Sequence, residues 1–233
     1  MDASEGRRKL VSIGRNDGIS SRAKEAHLKK FLIVSLAFLF VAALVPQTAA
    51  AGVGVKGGYA MSKFSMTGIT PPVPLSNLNT PMGGVFFGIG FGLFSIQPEI
   101  LYVRIGGRMA LGADWDEVRV DTIQVPVLLR INVLPGPISP MICGGPYGAY
   151  RLSAKDVSYD SVSGVTTTTD IKDQTVSTDY GLAFGGGIDF KLVAFKLSAE
   201  VRYNLGLANL EKNPPAGEST KNRTLMVLVG IGF

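Results

Sequence analysis

The chain has 233 residues, among them 29 Gly, 12 Phe and 7 Tyr, with a formal net charge of +5. Residues 1–51 hold eight Lys/Arg against four Asp/Glu and the rest fifteen against fourteen, so the basic balance sits in the N-terminal extension and nucleic acid is not an expected partner. One His, His27, and one Cys, Cys143, exclude an intramolecular disulfide and a Cys/His metal cluster.

Residues 1–30 are polar and basic, ending in Lys29-Lys30. Residues 31–45 form an apolar core in which Ser35 is the one polar member, and Ala49-Ala50-Ala51 follow after Pro46. A basic flank, a short apolar core and small residues make a secretory signal peptide, with cleavage expected after Ala50 or Ala51. The core falls short of the roughly 20 residues that span a bilayer as a helix, so a retained anchor is the weaker reading. Arg7-Arg8 stands too far before the core for twin-arginine export. The expected domains are thus 1–51, an extension with its signal-peptide helix, and 52–233.

From Gly52 onward the pattern changes to period 2, the spacing of strands. Eight runs follow, at about 52–65, 82–93, 95–109, 119–133, 139–153, 178–192, 195–207 and 222–233. In the first, Val53, Val55, Gly57, Tyr59 and Met61 alternate with Gly54, Lys56, Gly58 and Ala60. The second sets Val85, Phe87, Ile89 and Phe91 against a row of Gly. The third puts Gln97 and Glu99 on one face and Ile100 and Tyr102 on the other. Ile123, Val125, Val127 and Leu129 oppose Thr122, Gln124 and Arg130 in the fourth. The fifth is the least regular. In the sixth, Tyr180, Leu182, Phe184, Ile188 and Phe190 oppose Asp179, Gly185, Gly187, Asp189 and Lys191. The seventh is cleanest: Leu197, Ala199, Val201 and Tyr203 against Lys196, Ser198, Glu200 and Arg202. The eighth carries Leu225, Val227, Val229, Ile231 and a terminal Phe233 on one face.

Connections after runs two, four and six are short; those after one, three, five and seven, at about 66–80, 109–119, 154–178 and 208–222, are long and polar. That alternation predicts an all-β, eight-stranded antiparallel up-and-down barrel with short periplasmic turns and long outer loops. Two barrels share the alternation. A soluble lipocalin-like barrel lines its cavity with the apolar face, whereas a transmembrane barrel turns that face to lipid. Gly on the polar face, charges of both signs there, aromatics near the strand ends and the terminal Phe233 favour the membrane, because a narrow lumen needs small residues and paired charges. The lumen charge set is Lys56, Glu99, Arg130, Asp189, Lys196, Glu200 and Arg202, expected to act as a structural salt-bridge plug, with a narrow ion passage as the alternative.

Four segments carry a resemblance: Gly54-Val-Lys-Gly-Gly-Tyr-Ala-Met-Ser-Lys-Phe64, Gln97-Pro-Glu-Ile-Leu-Tyr102, Ile123-Gln-Val-Pro-Val-Leu-Leu-Arg130 and Gly185-Gly-Gly-Ile-Asp189. With them, the chain from about Gly52 to Phe233 resembles the PorT-type outer-membrane β-barrel family, relatives of the small OmpA/OmpX-like barrels. The resemblance implies an outer-membrane barrel with no shared catalytic residues.

Removal of the leader leaves no His, which removes Ser-His-Asp and Cys-His chemistry, so no enzyme activity and no cofactor are expected. Asp114, Asp116 and Glu117 offer oxygen ligands on an outer loop, but a solvated loop is the preferred reading and no metal site is assigned. Cys143 reads as a small apolar filler. The expected protein is a monomer in the outer membrane, with lipid as its surroundings and the barrel-assembly machinery as a transient partner. Its work is structural, or a surface interaction through its long loops. A narrow channel and a soluble periplasmic binder are the alternatives.

Overall fold

The computed structural model describes residues 50–68, 76–134, 136–212 and 214–233. The basic extension and the signal-peptide core lie outside the described residues. Of the cleavage region, Ala50 and Ala51 fall within the first strand.

Nine strands are described: β1 (Ala50–Thr67), β2 (Ser76–Phe91), β3 (Phe94–Leu111), β4 (Asp114–Asn132), β5 (Ile138–Asp160), β6 (Val165–Asp170), β7 (Thr178–Lys191), β8 (Lys196–Gly206) and β9 (Ser219–Gly232). Eight of them pair as an antiparallel ring, β1-β2-β3-β4-β5-β7-β8-β9, closed by β1 against β9. The fold is an eight-stranded antiparallel up-and-down transmembrane β-barrel. Closure leaves no strand edge in the ring, so the backbone in the lipid zone pairs with neighbouring strands rather than facing lipid. The ninth strand, β6, pairs with β5 alone, above the ring.

Alternation decides the faces. Val55, Val85, Ile100, Val127, Leu129, Ile142, Val201, Val227 and Val229 point outward and are exposed. Lys56, Glu99, Arg130, Asp189, Glu200 and Arg202 point inward and are buried. The apolar faces therefore do not line a cavity, as the lipocalin-like alternative required. Outward aromatics mark two zones, Phe94 and Phe190 near the short turns, then Tyr102, eight positions beyond Phe94, and Tyr180, ten before Phe190, with Phe184 lying between them. A tilted strand crosses the hydrocarbon in about 9–11 residues, so the two zones mark its edges.

Tight inward packing explains the glycines. A Cβ on Gly58 would strike the Val227 carbonyl of β9, and one on Gly84 the Ile100 carbonyl of β3. Outward Gly57 has no such neighbour nearer than 3.8 Å. The inner face is less polar than its charges suggest. Leu101, Val103, Ile105, Met226 and Leu228 fill one apolar layer, and Leu128, Met141, Cys143, Tyr147 and Ala183 another.

The outer connections correct the expectation of long loops. Segment 109–119 is a hairpin whose turn is Gly112-Ala113, with Gly112 at φ +71°. Residues 76–80 belong to β2, and 154–170 is largely the β5–β6 hairpin. Short and long connections consequently do not alternate strictly, since the β3–β4 turn has two residues. Beyond the lipid no hydrocarbon holds the outward face apolar, so polar residues are tolerated on each face and the period-2 signal vanishes. The irregular fifth run has a related cause. Pairing slips between Asp121↔Ser153 and Thr122↔Arg151, leaving Leu152 as a bulge.

Candidate functional site in the barrel lumen

Strand β1 supplies Lys56, β3 supplies Gln97 and Glu99, β4 supplies Arg130, β7 supplies Asp189, and β8 supplies Lys196, Glu200 and Arg202. Each is an inward position, two residues from another inward position on its strand.

Lys56 Nζ donates to Glu99 Oε1 at 2.7 Å and to Glu200 Oε2 at 2.8 Å. Arg202 Nη1 donates to Glu99 Oε2 at 2.7 Å and Nη2 to Glu99 Oε1 at 3.0 Å. Its Nε donates to Glu200 Oε1 at 2.7 Å. Two cations and two carboxylates thus form a closed square. Arg130 Nη2 meets Asp189 Oδ1 at 2.8 Å. Gln97 joins the two groups, its amide donating to Glu99 Oε1 at 2.6 Å while its carbonyl accepts from Arg130 Nη1. Lys196 reaches Asp189 Oδ2 at only 3.7 Å, and its side chain is 35% exposed.

The side chains of the square are 0–1% exposed. Removing such charges from water is costly and is offset only when every donor and acceptor finds a partner. The two-fold fork of Arg202 onto Glu99 supplies that geometry, since guanidinium and carboxylate match in shape.

Sequence reasoning missed the contribution of five residues. The sequence places Gln97 only on the inner face, yet it links the two ion clusters. Gln124 accepts from Asn204 Nδ2 at 3.0 Å, and Tyr147 donates to Asp179 at 3.3 Å. Inward parity was the available signal for all of them. Cys143 packs in an apolar layer and its thiol also faces Glu200 Oε1 at 3.5 Å.

The outer acidic residues separate. Asp114 and Asp116 share the inward-continuing face of β4, whereas Glu117 lies on the opposite face and pairs with Arg119. Asp114, in the exposed hairpin, accepts from the Ser161 hydroxyl at 2.6 Å and its N–H at 2.8 Å, which hold its carboxyl below the usual aspartate range. On the other face Trp115 stacks on Tyr159 with ring centroids 5.8 Å apart, and the Arg108 guanidinium lies 4.4 Å over the indole.

Residues 46–212 match a family described as "Outer membrane protein beta-barrel domain". Among solved structures, the chain is similar to Neisserial surface protein A, with 10% identity, a TM-score of 0.47, and coverage of 80% of this chain and 98% of that one. It is also similar to the N-terminal β-barrel domain of Pseudomonas aeruginosa OprF, with 11% identity, a TM-score of 0.37, and coverage of 80% and 100%. No curated protein matches the chain.

Proposed function

Because the chain belongs to the outer membrane protein β-barrel domain family, we propose that it is a non-conducting, non-enzymatic barrel of the PorT type. In this reading it stiffens the outer membrane and presents its outer hairpins to a surface partner. The short-turn end faces the periplasm, and the β3–β4 and β5–β6 hairpins stand outside. The barrel works as a monomer, delivered by the barrel-assembly machinery after its leader is removed.

One observation supports this best. Side chains of Lys56, Glu99, Glu200 and Arg202 bridge the bore, each in contact with a partner and shielded from solvent. An ion crossing that layer would have to break paired, desolvated charges, which disfavours the channel alternative. Leu101, Leu128, Met226 and Leu228 in the neighbouring apolar layers cannot replace an ion's hydration shell.

Two measurements on the purified barrel test the proposal. Gel mobility with and without boiling should differ, because the folded barrel resists detergent. Insertion into planar bilayers should leave conductance at baseline. Discrete conductance steps would overturn the plug, and recovery in the soluble periplasmic fraction would overturn the membrane assignment.

A further inference from the structure

The short-turn mouth of the lumen holds a cavity of about 410 Å³. Its origin is plain in β2: below Phe86 the inward positions Gly88 and Gly90 lack side chains, and Gly92 opens the turn. The cavity's polar lining is Ser95, Gln97, Asn132, Lys191 and Lys196. Lys191 and Lys196 are paired directly across β7 and β8. Both stand at inward register positions, because Asp189 and Ser198, two positions further along each strand, are buried in the lumen, and Lys191 is exposed at the mouth itself.

Like charges directly opposite on neighbouring strands destabilise a sheet. Lys196 has one long ion contact and Lys191 has none among the described residues. Asp189 already pairs with Arg130 at 2.8 Å, leaving Lys196 a 3.7 Å contact. The lower lumen carries five cations, Lys56, Arg130, Lys191, Lys196 and Arg202, against three side-chain carboxylates, Glu99, Asp189 and Glu200, and the α-carboxylate of Phe233 at the mouth. The three short turns contain no Asp or Glu. A backbone oxygen of terminal Phe233 accepts from Val53 N–H at 3.2 Å and pairs with neither lysine.

We propose that this mouth binds a phosphate-type dianion, with Lys191 and Lys196 supplying the charge and Ser95, Asn132 and Gln97 the neutral hydrogen-bonding groups. The volume suits a small ligand rather than a single ion. Lysine is a point-charge phosphate binder, and a phosphomonoester carries about two negative charges at pH 7, which balances the pair. The phosphoryl group has two possible sources: a free periplasmic phosphate compound, or the headgroup of a lipid in the adjoining leaflet.

The test uses the full folded chain in lipid-free maltoside micelles, with thermal unfolding read by heat-modifiable gel mobility. One arm titrates inorganic phosphate against chloride at matched ionic strength. The other titrates short-chain phosphatidic acid against the corresponding neutral diacylglycerol. A saturable rise in midpoint in either arm is expected, weakened about tenfold by Lys191→Gln or Lys196→Gln (roughly 1.4 kcal/mol) and absent in the double variant. Lys155→Gln on the outer hairpin should change nothing. A response to phosphate assigns a free anion; a response to phosphatidic acid alone assigns the lipid headgroup. Without ligand the double variant should unfold close to the parent, because the like-charge contact it relieves offsets the lost 3.7 Å Lys196–Asp189 contact. No response in either arm, or a response that the single variants leave intact, would overturn the site.

Discussion

Arg202 and Glu99 are joined by two hydrogen bonds, of 2.7 and 3.0 Å, although their strands lie four steps apart in either direction around an eight-strand ring. The pair is a brace across the full bore, and Lys56 on β1 and Glu200 on β8 complete it.

Loss of one arm of the brace strands charges that have no water to turn to. Arg202→Ala is expected to destabilise the detergent-folded barrel by about 3–5 kcal/mol, the usual result of breaking a buried ion pair from one side. Urea unfolding monitored by gel mobility measures it. A loss below 1 kcal/mol would mean that the square relaxes or hydrates freely.

The outward face makes the opposite demand. Val227, 45% exposed, lies between Tyr59 and Val201 in the apolar band. Val227→Arg should cost about 2–4 kcal/mol for folding into vesicles, as a cation near the bilayer midplane does. Thr167→Arg, on the exposed β6 strand, should cost almost nothing. Equal tolerance of both changes would argue that the band does not meet lipid.

Adjacent glycines provide a third contrast. Gly58→Ala places a methyl against the Val227 carbonyl and should sharply lower the folded fraction. Gly57→Ala points outward, with its nearest neighbour at 3.8 Å, and should fold like the parent. Comparison of heat-modifiable bands after refolding reads both.

The outer hairpins should respond to acid. Ser161 holds the Asp114 carboxyl below the ordinary value of about 3.9. The contribution of this contact is therefore complete above that ordinary value and is lost as pH falls through the lower folded one. Trp115, the single Trp, stacks on Tyr159 beside this contact, so its fluorescence should change in that acid window. Asp114→Asn should remove the step, and persistence of the step would place its origin elsewhere.

Period 2 made the barrel readable, because lipid and lumen impose opposite demands on alternate residues. It placed Lys56, Glu99, Arg130, Asp189, Glu200 and Arg202 on one face. It could not say which of them meet, since contact across the bore depends on the stagger between strands, as the Arg202–Glu99 pair illustrates. The β3–β4 hairpin reads as a loop in the sequence because Asp114, Trp115, Asp116 and Glu117 carry no apolar alternation. Lys191 was legible as an inward residue, but its position opposite Lys196 appears only once β7 and β8 are in register.

The seam between β1 and β9 sets the order of assembly. Its fourteen matched positions, Gly54↔Gly232 to Thr67↔Ser219, join segments about 150 residues apart in the chain. Contacts of that separation form late, because the entropy of closing a long loop must be met first. The N-terminal strand therefore emerges with one flank open and remains sticky until the last fourteen residues arrive. Any nascent or truncated chain lacking Ser219–Gly232 is an open sheet with two adhesive margins, and aggregation rather than partial function is the physical fate of such a fragment.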